Sequence, residues 1–262
     1  MSDRKTYEEH RAYLHEICRL QLWFAWHWLR AHPGETLPEV LRNRIDIYRK
    51  TDINQGTMNP GKPDFENPAW SELESRLTVA HSGTRDDPEA FEEEAFRIVQ
   101  PTVDARSQRD YEERPYVLDY QCGSLKYDPP RDEHPGRVSI HIANAVAPRS
   151  IFNDPAYMPT CLREVMAQSA AEYGADSLAT HTWLNSHPRW LELFPRSWQD
   201  NMGPETREVK WHFGFWGQFI NARGTFNTRL GQQLRVTGEL PFYPRLSWCT
   251  FDALRAHLNG AR

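Results

Sequence analysis

The chain has 262 residues, of which 39% are apolar and 26% charged, and its mean hydropathy is −0.75. A net charge of −5 argues against nucleic-acid or anionic-membrane partners, and no apolar run approaches the roughly 20 residues that span a bilayer. The four cysteines are scattered and the N-terminus is charged, so we expect a cytoplasmic protein with reduced thiols.

The first part of the chain, residues 1–114, is predicted to be all-helical. Apolar residues recur there at helical spacing, which predicts helices over residues 7–31, 37–50, 70–80 and 88–99. Thr36 and Glu39 have the spacing of a capping box, so they are expected to start the second helix. Pro101 is expected to end the last one.

The second part, residues 115–262, is predicted to form a mixed sheet with packed helices. Alternating apolar and polar residues predict strands over 116–127, 138–143, 178–185 and 210–220. Helices are expected over 160–173, closed by Gly174, and over 224–234 and 250–258. Because a helix separates the second and third strands, a right-handed crossover should make them parallel. The predicted fold class is therefore α+β.

Three of the predicted strands each carry one histidine near the middle: His141, His181 and His212. Strand side chains alternate between faces, so the apolar residues should lie on one face and the histidines on the other. The same polar and aromatic face should carry Trp183, Asn185, Trp216 and Gln218. We take this face as the candidate site.

The residue types on this face suit acyl transfer to a small molecule. A neutral imidazole can take a proton from an attacking amine or hydroxyl near neutral pH, which makes His141, His181 and His212 candidate general bases. Asn185 and Ser186, where the third strand ends, could orient a substrate or donate a proton to a leaving thiolate. Trp183, Trp216 and Gln218 could line a substrate pocket.

Two other interpretations of the same residues remain open. Three imidazoles on neighbouring strands, His141, His181 and His212, could bind a metal ion and leave a position for water or substrate, as in a hydrolase, lyase or oxygenase. Alternatively, the histidines are hydrogen-bonded residues of a half-buried sheet, and Asn185 and Ser186 belong to a turn that caps the next helix. The face would then belong to a binding protein or to a scaffold.

The segments Val138-Ser139-Ile140-His141-Ile142 and Thr180–Pro195 resemble a bacterial GNAT-like acyltransferase family. Members of that family carry a helical N-terminal acyltransferase domain and a GNAT-like C-terminal domain. In them a strand with a His-Ile pair is followed by a helix, and then by a strand that runs into a Ser-Trp-Leu-Leu and Leu-Pro pattern. The order and spacing agree over about 80 residues of this chain.

The resemblance implies an acyl thioester donor, such as acyl-CoA, that enters between the two parallel strands and passes its acyl group to a small amine or alcohol. It also implies that residues 115–262 form the GNAT-like domain. GNAT enzymes usually hold the coenzyme A pyrophosphate on a glycine-rich loop after the first of these strands. The corresponding segment here, 144–150, contains no glycine, and Arg149 is its one candidate phosphate contact.

Overall fold

The computed structural model describes residues 5–55, 63–113 and 120–260. Within them the α-helices are, in chain order, α1 (Tyr7–Ala31), α2 (Leu37–Asn43), α3 (Pro68–Gly83), α4 (Pro88–Glu113), α5 (Tyr157–Tyr173), α6 (Pro188–Leu191), α7 (Arg196–Asp200), α8 (Phe213–Trp216), α9 (Thr228–Thr237) and α10 (Phe251–Gly260). The strands are β1 (Leu125–Asp128), β2 (Arg137–Ile142), β3 (Ser177–Thr182) and β4 (Arg245–Thr250). The predicted α+β fold, with a helical N-terminal region followed by a mixed sheet, is confirmed.

The described residues divide into two compact units. Residues 120–208 and 242–260 form the sheet unit, and residues 5–55, 63–113 and 209–241 form the helical unit. The boundary predicted between residues 114 and 115 lies outside the described part of the chain. Segment 209–241, which the sequence pattern places in the second domain, packs with the helices of the first.

Capping boxes start the first two helices of the helical unit. Thr6 Oγ1 accepts from the Glu9 amide at 3.2 Å, and the Glu9 carboxylate accepts from the Thr6 amide at 2.8 Å. The box predicted at Thr36 and Glu39 is present with the same pattern. The second helix is shorter than predicted, because α2 ends at Asn43 and residues Tyr48–Lys50 form a separate 3₁₀ turn.

Helix α4 continues through Pro101, so the prediction that this proline ends the helix is wrong. A proline inside a helix removes one backbone hydrogen bond and costs about 3 kcal/mol. Val99 and Val103 on either side of it are fully buried, and α4 packs along α1 over much of its length. Burial of these apolar side chains offsets the local cost, at about 1.5–3 kcal/mol for each one.

The sheet has the strand order β1-β2-β3-β4. β1 pairs antiparallel with β2, β2 pairs parallel with β3, and β3 pairs antiparallel with β4. The predicted parallel pair is therefore confirmed. The prediction of a strand over 210–220 is wrong, because that segment contains α8 and a 3₁₀ turn, and β4 supplies the fourth strand. The predicted first strand is shorter than expected, and its residues 116–119 lie outside the described ranges.

The core of the sheet unit lies between the sheet and helices α5 and α10. Val138 and Ile140 of β2 point into it, together with Leu162 and Val165 of α5 and Leu254 of α10. Helix α5 connects β2 to β3 and ends at Gly174, whose φ of 65° is the left-handed conformation expected of a glycine cap. This crossover fixes the direction of β3 and puts the carboxyl ends of β2 and β3 on the same edge of the sheet.

Among the helices that the structure describes, none combines the length and the apolar character needed to cross a membrane.

Candidate functional site

His141 and His181 lie on the face of the sheet opposite the core. In β2 the buried Val138 and Ile140 alternate with Ser139 and His141, and in β3 the exposed His181 follows the buried Thr180. Ser139 pairs with Ala179 across the parallel strands, and each histidine follows its member of this pair by two residues. The period-two prediction for these two histidines is therefore confirmed.

His141 forms a hydrogen bond with an aspartate on this face. Its Nε2 lies 2.7 Å from Oδ2 of Asp128, the β1 residue that pairs with Ser139. The two side chains are 46% and 51% exposed. An exposed pair of this kind contributes at most about 1 kcal/mol to folding, so its main effect is to fix the orientation of the imidazole.

His181 is the more suitable base. Its Nε2 lies 2.9 Å from Thr206 Oγ1, and partial burial of the ring, which stays partly open to solvent, lowers the pKa of the imidazole below its usual value. The ring is therefore neutral at pH 7, which is the form that accepts a proton. Thr206 comes from the segment after α7, a partner that no spacing in the sequence indicates.

The parallel pairing next to these histidines is short. The β2–β3 ladder contains three pairs, from Arg137 opposite Ser177 to Ser139 opposite Ala179. Beyond it, β2 stays paired with β1 as far as Ile142, and β3 stays paired with β4 as far as Thr182. The sheet therefore opens between β2 and β3, and each histidine lies two residues beyond the last pair.

His212 is not on the sheet, and the prediction that it shares a face with the other two histidines is wrong. It precedes α8 in the helical unit, where its Nδ1 accepts from the Gly214 amide at 3.2 Å. Trp216 and Gln218, predicted to bind substrate on the same strand, are 3% and 1% exposed within that unit. The aromatic run 213–216 mimics strand alternation over a length too short to distinguish it from a helical turn.

A three-histidine metal site is not formed. Across residues 5–55, 63–113 and 120–260, no group of three or more histidine, cysteine, aspartate or glutamate side chains is arranged to hold a metal ion.

Asn185 connects four other residues of the sheet unit through its side-chain amide. Its side-chain amide donates to the carbonyls of Thr180 at 3.0 Å and Arg245 at 2.7 Å. Its Oδ1 accepts from the indole nitrogens of Trp190 at 2.9 Å and Trp198 at 3.2 Å. Two donors and two acceptor positions are the whole capacity of an asparagine side chain, so Asn185 has none left for a substrate.

Ser186 is also engaged with the backbone. Its Oγ donates to the Tyr243 carbonyl at 3.0 Å. It belongs with Trp183 and Asn185 to a 3₁₀ turn that follows β3, so the predicted strand ends three residues early. Asn185 and Ser186 therefore lie in a turn, but their side chains bond to other segments and do not cap α6, which has no side-chain cap.

Trp183 belongs to a half-buried aromatic cluster at the end of β3. Its ring centroid is 6.3 Å from that of His187 and 5.9 Å from that of Phe242. His187 stacks on Phe152 with centroids 5.8 Å apart and planes 6° apart. We call these four rings the aromatic cluster. Only Trp183 was predicted from the sequence. Phe152, His187 and Phe242 were not, because they come from separate segments that only the fold brings together.

The helical unit contains a buried ion pair that the sequence analysis does not identify. Lys50 Nζ donates to Asp46 Oδ2 at 2.6 Å, and both side chains are almost fully buried. Burial raises the pKa of the neighbouring Tyr13 and raises that of Cys18 to about 12. A paired charge beside a protonated phenol and thiol fits a structural role. The only indication in the sequence was the i, i+4 spacing of Asp46 and Lys50.

Lys5 is a second unusual cation of this unit. Burial lowers the pKa of its amine to about 8, although Asp110 and Glu9 act in the opposite direction. The amine donates to the Gly224 carbonyl at 3.1 Å and lies 5.1 Å from the centroid of the Tyr13 ring. These contacts assign Lys5 to holding the turn at residues 221–225.

A scan against protein-family models found no match to this chain, and searches of curated proteins and of solved structures found no similar protein.

Proposed function

We propose that the sheet unit transfers an acyl group from a thioester donor to a small amine or alcohol, with His181 as general base. The observation that carries the proposal is the opening of the sheet between β2 and β3, flanked by His141 and His181. Strand edges that leave a ladder present unpaired N–H and C=O groups, which suit the extended amide arm of a thioester. The resemblance to GNAT-like acyltransferases agrees with this assignment.

The chemistry needs one proton transfer and one bond exchange. His181 bonds Thr206 through Nε2, so its Nδ1 would take the proton of the acceptor amine or hydroxyl. The acceptor atom then attacks the thioester carbonyl, a new C–N or C–O bond forms, and the C–S bond breaks as the thiolate leaves. The aromatic cluster supplies an apolar surface next to the opening for the acyl group.

The first experiment is to measure thiol release from acetyl, octanoyl and benzoyl thioesters in the presence of a panel of small amines and alcohols. His181→Ala is expected to lower kcat by about 10²- to 10⁴-fold, the usual contribution of a general base. The kcat of His181→Gln should fall by a similar factor, because glutamine can form a hydrogen bond with Thr206 but cannot take the proton.

His134→Ala is the matched control, because His134 is an exposed histidine of the same unit in the turn between β1 and β2. It should keep the wild-type rate. Full activity of His181→Ala, with the fold intact by circular dichroism, would refute the role given to His181.

The aromatic cluster supports a second candidate, a small-molecule binding protein on the same scaffold. Its four rings are only partly buried, which leaves apolar surface for a ligand. Under this alternative, thioesters or their acyl groups would quench tryptophan fluorescence with no thiol release. Trp183→Ala would then weaken binding, and His181→Ala would leave it unchanged.

A further inference from the structure

The segment that would hold the phosphates of coenzyme A connects β2 to α5. Phosphates bind in proteins to unbonded backbone N–H groups, to helix N-termini and to clustered cations. Residues 143–160 cover the loop and the first turn of α5, and all of them are described by the structure.

Four backbone amides of the loop donate to acceptors within the protein. Two of them donate to Ser124: the Ala143 amide to its carbonyl and the Ala145 amide to its hydroxyl, both at 3.0 Å. Val146 donates to the Asn144 side chain at 3.2 Å, and Arg149 donates to the Val146 carbonyl at 3.0 Å. These bonds turn the amides toward the protein, so they do not form a cradle for a phosphate.

The N-terminus of α5 is occupied as well. Asp154 accepts from the Tyr157 amide through its carbonyl at 3.2 Å and from the Ala156 amide through its carboxylate at 2.8 Å. Pro159 has no N–H, and the Thr160 amide donates to the Ala156 carbonyl at 3.1 Å. The Asp154 carboxylate already places a negative charge where the helix dipole favours an anion, so it would repel a phosphate.

Cations are scarce in the same segment. Arg149 is the only lysine or arginine between residues 143 and 160, and its side chain is exposed. The guanidinium of Arg189 reaches the segment from α6, where it donates to the Phe152 carbonyl and lies over the Phe152 ring. Two exposed guanidiniums, one of them already bonded to a carbonyl and the other opposed by a carboxylate in the same segment, give little net attraction for a dianionic pyrophosphate, because solvent and salt screen them. Residues 143–160 therefore present neither an open helix N-terminus nor a cluster of cations, and four of the loop amides are already bonded within the protein.

We infer that the thioester donor is recognised through its acyl group and the arm next to the sulfur, and that the phosphates and nucleotide of coenzyme A contribute nothing to binding. This inference rests on the proposed function and narrows its donor. The donor class is an acyl thioester of a pantetheine-type arm, whether the arm is free or carried by a larger molecule.

The experiment compares two donors that share one acyl group, octanoyl-pantetheine and octanoyl-CoA, in the thiol-release assay. Their kcat/KM values are expected to agree within about threefold. One charge-assisted hydrogen bond to a phosphate would raise kcat/KM for octanoyl-CoA by about tenfold or more. A preference of more than about tenfold for octanoyl-CoA would overturn the inference while leaving the proposed function intact.

Two controls sharpen the comparison. Adenosine 3′,5′-bisphosphate at about 1 mM is expected not to inhibit transfer from octanoyl-pantetheine. Arg149→Ala should leave the ratio of the two kcat/KM values unchanged, and a selective loss of octanoyl-CoA turnover in this variant would show that Arg149 does bind phosphate.

Binding measured by tryptophan fluorescence gives the same comparison without turnover. Equal Kd values for the two thioesters support the inference, even if neither is a substrate and the proposed transfer fails. Binding of octanoyl-CoA that is tighter by tenfold or more contradicts it. If neither thioester binds, the inference and the proposed function fail together.

Discussion

Asp104 of α4 bonds to two basic side chains of α1, Arg11 and His15. Arg11 donates to both carboxylate oxygens at 2.7 and 2.9 Å, and His15 Nε2 lies 2.6 Å from Oδ1. The hydrogen bonds from Arg11, followed by those from His15, lower the pKa of Asp104 to about 2, although partial burial acts in the opposite direction. Because an unfolded aspartate has a pKa of about 3.9, the ionised form is stabilised by folding.

The stability contributed by Asp104 should therefore be present above about pH 4 and be lost as the pH falls towards 2. Asp104→Asn is expected to lower the free energy of unfolding at pH 7 by about 1 kcal/mol, a value reduced for partial solvent exposure. The difference between variant and wild type should shrink to near zero by about pH 2. Urea unfolding at a series of pH values measures this difference.

Asp86→Asn is the control for this series, because the Asp86 side chain is 99% exposed. It should change the free energy of unfolding little at any pH. A difference for Asp104→Asn that stays constant from pH 7 to pH 2 would show that the ion pair does not account for its effect.

At the scale of single elements, Gly174 and Gly83 form a natural comparison. Both have open space where a Cβ would lie. Gly174 has a φ of 65° after α5, whereas Gly83 is the last residue of α3 and has no positive φ. Any difference between their alanine variants therefore comes from backbone conformation.

Gly174→Ala is expected to destabilise the protein by about 1 kcal/mol, because alanine is strained in the left-handed region. Gly83→Ala should be neutral or stabilise by up to about 1 kcal/mol, because alanine favours the helix. Thermal unfolding of the two variants tests this contrast in sign. Equal destabilisation of both would contradict the conformational explanation.

The elements that the sequence predicted well are those with long or uninterrupted patterns. α1 is long and apolar enough to be buried on all sides over residues 20–26, α5 buries a regular stripe, and the burial of β2 alternates, so the hydrophobic pattern and the caps were sufficient to predict these elements. The prediction of a strand over 210–220 failed because α8 has only four residues, Phe213–Trp216. A run of that length is too short to show whether its apolar residues repeat with the period of a strand or of a helix. β4 was missed because its residue types do not match its burial: the apolar Leu246 is exposed and the polar Ser247 is fully buried.

The candidate site was predictable only in part. The alternation of β2 and β3 placed His141 and His181 on one face. Their partners Asp128 and Thr206 and the rings around Trp183 come from segments far away in sequence, so only the fold could supply them. Asn185 had the right chemical type for catalysis, but no sequence pattern indicates that two tryptophans use its oxygen.

At the scale of the whole molecule, the helical unit is assembled from separate parts of the chain. Trp216 of α8 packs against Phe24 of α1 with ring centroids 5.2 Å apart, and its indole donates to the Arg44 carbonyl at 2.9 Å. The guanidinium of Arg49 lies over the Trp211 ring, with its central carbon 3.3 Å from the ring centroid. Helices α1 and α2 and the turn that follows them therefore depend on residues that come after the sheet segment 120–208.

A fragment that ends at residue 113 is expected not to unfold cooperatively, because it exposes the apolar surface that segment 209–241 covers. A matched chain that joins residues 209–241 to residues 5–113 through a glycine-serine linker should regain a cooperative transition. Circular dichroism during heating measures both, and binding of a hydrophobic dye reports the exposed surface. A sharp transition in the shorter fragment would disprove the dependence.

The same discontinuity sets the order in which the protein is completed during synthesis. Residue 241 emerges about 130 residues after the end of α4, which at about 5–20 residues per second is a delay of about 6–25 s. During that delay the apolar stripe of α1 lacks part of its cover. Newly made chains should therefore bind chaperones at α1 until α9 has been translated, and the sheet segment should emerge while the helical unit is still incomplete.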